Sequence, residues 1–447
     1  MLRLRDGQAT LWEQMLPEEI RLVGPELEAV DRLLDDPRFL APFVERFGCR
    51  IGRPTIPIES YLRLMYLKHR HGLGYETLVR EVADSLSWRH FCRIGLHKAP
   101  PHPTTLMKLT RRFGPEIVED LNQALLERAA ADKLIRGRRL RVDTTCIEAD
   151  VRYPTDSGLC AHAISRLGRA VRTVKGAGLA ARTVFRDRRR SAGKAVRRVS
   201  GALARGGNTR PAVDRETGVL HELATGALTQ ARRVLTNASR TLRQAGRAGK
   251  AQVARLAREI TGAERVIAQT ARRLAGERTI PDRVVSLSDP DARPIRRGKP
   301  RKPTEFGYKA SVADTPEGFV VSHQVYAGNP ADAQTLEAAI AGAQKVGMRV
   351  TTVLADRGYG DVIGDEALAR RGITDSVIPR KGKPAAIQQT RSWRRRYRYR
   401  AGAEGRISGL KRGRGWARSR LKGYPGAKIW AGHGVFTHNL DRMVALG

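Results

Sequence analysis

The sequence predicts an α/β core that is preceded by an all-α region and interrupted by a long helical insertion. Three observations lead there. Apolar residues recur at three- and four-residue spacing through residues 1–135 and 161–280. Short alternating or wholly apolar runs, the mark of strands, are confined to about 138–149 and to the stretch beyond 305. Basic charge is gathered into two blocks separated by nearly neutral chain. The expected organisation is a helical region over 1–135, a core built from 136–155 and 301–447, and an inserted basic helical arm over 156–300.

With 447 residues the chain has ample length for several domains, and 41% hydrophobic residues in periodic runs exclude collagen-like and fully disordered classes. No stretch approaches 18 consecutive apolar residues, and MLRLRDGQATLWEQM lacks the apolar centre of a signal peptide. A cytosolic protein is expected. Cys49, Cys92, Cys146 and Cys160 form no CxxC pair and read as buried thiols in a reducing compartment. His90, Cys92, His97 and His102 are close in sequence, but their spacing matches no common zinc pattern.

The formal net charge is +38, which favours a polyanionic partner, and nucleic acid is the commonest large one in a cytosol. Residues 161–280 hold 27 Lys/Arg against 7 Asp/Glu, and residues 380–422 hold 16 Lys/Arg against Glu404 alone. Those two blocks carry nearly all of the excess. The first reads as two long basic helices joined by the turn-rich RGGNTRPAVDRETG, with Phe185 its lone aromatic residue. It is expected to be an arm too poor in large side chains for its own globular core, contacting DNA or a partner, or serving as a solvated spacer.

Within 1–135, IPIESYLRLMYLKHRHG and YETLVREVADSLSWRHFCRIG carry helical stripes on either side of a Gly72-Leu73-Gly74 turn. After prolines 100, 101 and 103, Thr104 or Thr105 can cap a further helix whose first turns present Lys108, Arg111 and Arg112. Short helices, a turn and a capped basic helix resemble a helix-turn-helix unit for DNA; an ordinary bundle has the same pattern.

From 138 the pattern changes. RRLRVDTTCIEA reads as a strand holding Asp143. EFGYKASVAD, the turn TPEG and FVVSHQVYAG read as a hairpin. A helix capped by Asn329 or Asp332 and ending at Gly347 leads to the strand MRVTTVLAD, then to a helix, the short strand DSVIP and further helices. A strand, a helix and a strand make a crossover to a parallel neighbour. Apart from the insertion, that order is the layout of a ribonuclease-H-like α/β domain.

Asp143 stands in a strand, Asp356 at the carboxyl end of another, and Glu404 on the helix AEGRISGLKR. Three carboxylates brought together repel one another, which is the condition for binding hard divalent cations. Two such ions can activate a water or hydroxyl and stabilise the leaving oxygen of an in-line phosphoryl transfer. Glu404 survives among 16 cations; a segment that binds phosphate loses affinity by keeping an acid unless the acid has a task. The bland alternative is a salt bridge to Arg400 or Arg406. Glu148, Asp150 and Asp361 compete as spare ligands but read as loop acids, and Asp289 and Asp291 as turn caps in a tether rich in Pro and charge.

Tyr397, Arg400, Glu404 and Lys411, at these spacings, resemble the Tyr-Arg-Glu-Lys signature of bacterial insertion-sequence DDE transposases. VDTT with Asp143 and LADRGYGD with Asp356 are similar to the blocks holding the family's first and second catalytic Asp, and GNPADAQTLEAAI and GHGVFTHNLDRM resemble two further blocks. Residues 40–115 resemble the helical domain of the insH-type branch. The resemblance implies that Asp143, Asp356 and Glu404 bind two Mg²⁺ ions, with Mn²⁺ a substitute, and that Tyr397, Arg400 and Lys411 position DNA. It further implies a bacterial, nucleoid-associated enzyme that hydrolyses the phosphodiester at terminal inverted repeats, joins the freed 3′-hydroxyl to target DNA and works as a homodimer in the synaptic complex. The insertion differs in place: here it follows the first Asp strand, whereas the better-known members insert between the second Asp and the Glu. A non-catalytic DNA-binding protein and a related nuclease without strand transfer remain alternatives, and the first would leave the three acids pointing apart.

Overall fold

The run RLRVDTTCIEA forms strand β1 (Arg139–Ala149), which is buried along nearly its whole length and so has both faces covered. The computed structural model describes residues 1–5, 23–48, 52, 54–296, 302–380 and 385–447. Cys49 lies outside the described residues; Cys92, Cys146 and Cys160 are buried free thiols. The chain divides into two compact units, one of Met1–Asp150 with Gly307–Gly447 and one of Val151–Phe306.

The remaining strands are β2 (Arg293–Arg296), β3 (Thr304–Asp314), β4 (Val320–Tyr326), β5 (Thr352–Leu354), β6 (Asp375–Val377) and β7 (Arg418–Ser419). In the first unit β4 pairs antiparallel with β3 and β3 antiparallel with β1; β1 then pairs parallel with β5, and β5 with β6. The turn between β3 and β4 closes through Gly318, at φ +95°, whose N–H donates to the Thr315 carbonyl. Helix Asp332–Lys345 makes the crossover from β4 to β5. Its N-cap is Ala331, whose N–H donates to the Gln334 side chain, so neither Asn329 nor Asp332 caps it.

Helices Pro25–Leu34, Ala41–Phe47, Ile58–Arg70, Tyr75–Asp84, Leu86–Phe91 and Pro103–Ala131 belong to the same unit as the sheet. They share one hydrophobic core with it, because the closing helix Tyr424–Leu446 is buried almost all round and packs on Pro103–Ala131 and on β4. Phe39 meets Phe436 edge-on at 5.7 Å, and Tyr61 meets Phe113 at 5.1 Å. Helix Pro103–Ala131 is capped by the His102 ring rather than by Thr104 or Thr105: Pro103 takes the first helical position, which moves the cap back, and Nδ1 accepts from the Thr104 N–H. Gly114 and Pro115 kink this helix midway.

The inserted segment departs from expectation. It forms four helices, Asp156–Gly176, Arg189–Arg205, Arg210–Arg240 and Arg247–Leu274, rather than two. They enclose their own core of Leu159, Ile164, Leu167, Leu220, Ala224, Val234, Leu256, Ile260 and neighbours. Alanine is what makes a core possible here: Ala163, Ala170, Ala195, Ala227, Ala231 and Ala263 face inward, so the helices approach closely without large side chains. The turn-rich reading of RGGNTRPAVDRETG holds only for its start, since Pro211 sits in the first turn of Arg210–Arg240.

Lys68 is an expensive member of the first core. It is 1% exposed, with Nζ 3.9 Å from the Trp430 ring centre and 4.8 Å from that of Tyr75. Among the described residues its ammonium has no hydrogen-bond partner, and burial, with Arg420 nearby, pulls its pKa down to about 7. The unfolded chain keeps that proton up to a pH of about 10.4. Between these values the unfolded state binds more protons, so stability rises with pH. Lys68→Met is expected to raise the thermal midpoint at pH 6, with the gain shrinking as pH approaches 10; a Met variant less stable than the parent at pH 6 contradicts this.

Candidate active site

Side chains two apart on a strand share a face, so Arg141 and Asp143 point the same way from β1. The parallel register sets Leu354 of β5 opposite Arg141. Continued two residues, it brings Asp356, just past the end of β5, beside Asp143. Asp143 is buried and its Oδ1 accepts from the Thr144 N–H at 2.7 Å. Asp356 opens the short 3₁₀ turn Arg357–Tyr359, with Oδ1 accepting from the Gly358 N–H at 2.7 Å. Glu404 lies in the first turn of helix Ala401–Gly413, where a carboxylate complements the helix dipole, and its side chain is 67% exposed.

One guanidinium reaches all three acids. Arg400 Nη1 is 3.0 Å from Glu404 Oε1, and Nη2 is 3.4 Å from Asp143 Oδ2 and 3.9 Å from Asp356 Oδ2. The Arg400–Glu404 pair of the bland alternative is therefore present, but the same cation also bridges two strands. Burial lowers the Arg400 pKa, and Asp143, Tyr397, Asp356 and Glu404 outweigh that and raise it. Among the described residues no three His, Cys, Asp or Glu side chains stand close enough together, as they are, to hold a metal ion.

Tyr397 is half-buried on helix Arg391–Arg398, its ring stacked on Trp393 at 4.9 Å, one helical turn earlier. Burial raises its phenol pKa; Arg400 opposes this, while Asp356, Asp143 and Glu404 add to it. Gln389, Arg391, Arg394, Tyr397 and Arg398 line an open groove of about 590 Å³. Lys411 is two turns beyond Glu404 on the same helix, roughly 10 Å along its axis. Lys108, Arg111 and Arg112 are exposed on helix Pro103–Ala131, an element apart from the three acids. The competing acids are engaged elsewhere: Glu148 and Asp150 pair with Arg418 at 3.7 and 3.6 Å, and Asp361 caps helix Val362–Arg370.

Two features escape the sequence reading. Asp332, expected as a helix cap, instead accepts from Thr144 Oγ1 at 2.7 Å and pairs with Lys309 Nζ at 2.6 Å. It adjoins Asp356 so closely that a Cβ on Gly358 would meet its Oδ2 at 2.6 Å and Asp356 Oδ1 at 2.9 Å. The second feature is a clamp. Asp314, 1% exposed at the end of β3, pairs with Arg141 through Nε at 2.9 Å and with Arg406 Nε at 3.1 Å. A register shift between Ala313 and Asp314 re-aims the strand end there. Arg141 lies over the Tyr399 ring at 4.7 Å and against Gly402, where a Cβ would fall 1.8 Å from its Nη1. A three-charge clamp, with Arg141 two residues from Asp143, Arg406 two residues from Glu404 and Asp314 between them, thus docks the Glu404 helix beside β1.

Removing one member of a buried ion pair leaves the others uncompensated, at a cost of about 3–5 kcal/mol. Asp314→Asn is expected to lower the unfolding free energy by about that amount in urea denaturation. A loss below about 1 kcal/mol, the range of an exposed pair, would show that the clamp does not hold the helix.

Two family models match the chain: a transposase domain (DUF772) over residues 12–112 and a transposase DDE domain over residues 283–440. The second includes Asp356 and Glu404, while Asp143 and the four helices of the second unit lie between the two matches. An uncharacterised protein, ORF8 in the nfe locus of Rhizobium meliloti, is 34% identical over 137 residues, which is 29% of this chain and 66% of that protein. No solved structure matches the chain. No helix of the described residues is long and apolar enough to cross a membrane. Two transposase domains in sequence, the second of the DDE type, show that the chain belongs to the DDE transposases.

Proposed function

We infer that this protein is the transposase of a bacterial insertion sequence: it binds the element's terminal inverted repeats, hydrolyses the phosphodiester at each end and joins the 3′-hydroxyl to target DNA. The observation that carries this reading is the convergence of Asp143, Asp356 and Glu404, from two strands and a helix, on the one guanidinium of Arg400. A protein that only bound DNA would need no such convergence. The strand pairing, an antiparallel three-strand meander followed by two parallel strands, supports a ribonuclease-H-like core.

Divalent metal ions serve this family. The donor set here fits them: three hard carboxylates around one guanidinium, with no soft ligand among them. Asp143, Asp356 and Glu404 would hold two Mg²⁺, or Mn²⁺ in their place; when bound, the ions supply a lowered water pKa and charge stabilisation at the phosphorus. The chain's own residues do the rest. Asp143 is fixed by β1 and by its backbone hydrogen bond, so it anchors the site, while exposed Glu404 is free to turn toward substrate. Arg400 lies within reach of a non-bridging oxygen of the phosphate that approaches these acids. Tyr397 and the basic groove beside it hold the backbone of the cut strand, Lys411 contacts it two turns on, and Lys108, Arg111 and Arg112 contact the element end. Synapsis of two ends calls for two copies, hence a homodimer on DNA in the bacterial cytoplasm.

Glu404→Gln keeps the size and hydrogen bonding of the side chain and removes its charge. On duplexes carrying the element's own ends, this variant is expected to bind as the parent does in gel shift while Mg²⁺-dependent cleavage falls to background. Retained cleavage refutes the assignment of Glu404.

A further inference from the structure

The four helices, Asp156 to Leu274, lie outside both matched domains, and their surface has a feature that the fold does not need. On helix Arg189–Arg205 the residues Ala192, Ala195, Val199 and Ala202 face the bundle core. The opposite side carries Lys194, Arg197 and Arg205, all exposed. With Arg198 and Arg215 they line an open groove of about 600 Å³ whose one acid is Glu216, already paired with Arg198 at 2.8 Å. Among the described residues Lys194, Arg197, Arg205 and Arg215 form no ion pair.

Most of the unit's acids are paired elsewhere. Glu259 pairs with Arg166, Glu264 with Arg232, Glu277 with Arg272, Asp187 with Arg172 and Arg189, and Asp214 with Arg210 and Arg273. Four like charges left facing one concave surface repel one another, and the fold gains nothing from them. A polyanion relieves that repulsion. Base stacking is not available, since Phe185 is the single aromatic residue between 156 and 274 and it packs on the bundle core. Guanidinium and ammonium groups without aromatic platforms suit phosphates along a duplex, where they bind backbone without reading bases.

We propose that the groove of Lys194, Arg197, Arg205 and Arg215 is a sequence-independent docking surface for the phosphate backbone of duplex DNA. The proposal rests on the reading of this chain as a DNA-processing protein, but its test reads binding alone and does not depend on cleavage. The full chain is compared with a variant carrying Lys194→Ala, Arg197→Ala, Arg205→Ala and Arg215→Ala. A matched variant loses four exposed charges elsewhere in the unit, Arg240→Ala, Arg243→Ala, Arg247→Ala and Arg255→Ala. Affinity for a random-sequence duplex is followed by fluorescence anisotropy across salt concentrations, with circular dichroism to check that each variant folds.

For the groove variant the slope of log affinity against log salt should shrink by about 0.9 per phosphate contact removed, roughly three to four in all. The matched variant should change it far less. Equal shifts in the two variants would mean that charge acts in bulk, and an unchanged slope in the groove variant would mean no contact; either overturns the proposal. Loss of the slope in the groove variant alone sustains it even if the chain proves unable to cut DNA, whereas failure to cut with Glu404 intact counts only against the transposase reading.

Discussion

The buried carboxylate of Asp314 is the constraint on which the candidate active site depends. Nearly sealed from water, it holds a guanidinium from β1 and another from the Glu404 helix. Such a group has a large desolvation cost that only close, well-aligned cations offset. Its worth lies less in net stability than in the single arrangement it permits, because any sliding of the helix along β1 would strand one charge. His438 of the closing helix donates from Nε2 to the Gly318 carbonyl at 3.0 Å, with Arg406 Nη1 3.2 Å from the same nitrogen, so the closing helix and the hairpin turn meet at the same point. Asp143 and Glu404 inherit their relative position from this joint.

Charge is used in two different ways in the two units. In the first, cations are spent on particular acids: Arg400 on the three converging carboxylates, Lys309 on Asp332, Arg418 on Glu148 and Asp150. In the second, most acids are paired with the bundle's own arginines, and the surplus of cations is left on the surface. A composition that reads simply as basic therefore separates into cations that organise particular acids and cations available to a polyanion.

Much of the core was legible because its signals are local. Strand alternation around Asp143, the apolar run before Asp356 and the lone acid at 404 each follow from a few adjacent residues, and the structure puts all three acids within reach of Arg400. The misses share one cause, which is that they depend on partners distant in sequence. Arg141, Asp314 and Arg406 are ordinary charged residues until folding brings them together, and Gly402 has no visible reason until a guanidinium lies against it. Asp332 looks like a helix cap at close range and becomes a neighbour of Asp356 only through the crossover. The inserted unit was underestimated because alanine was discounted as a core residue; periodic Ala on four helices packs as well as fewer, larger side chains.

If Asp143, Asp356 and Glu404 form one metal-binding centre, crystals of the full chain soaked in Mn²⁺ and measured at the manganese absorption edge show it. Anomalous peaks bonded to carboxylate oxygens of all three residues are expected, with Arg400 displaced from between them. Peaks that leave Glu404 unligated, or manganese bound only elsewhere on the chain, would contradict it.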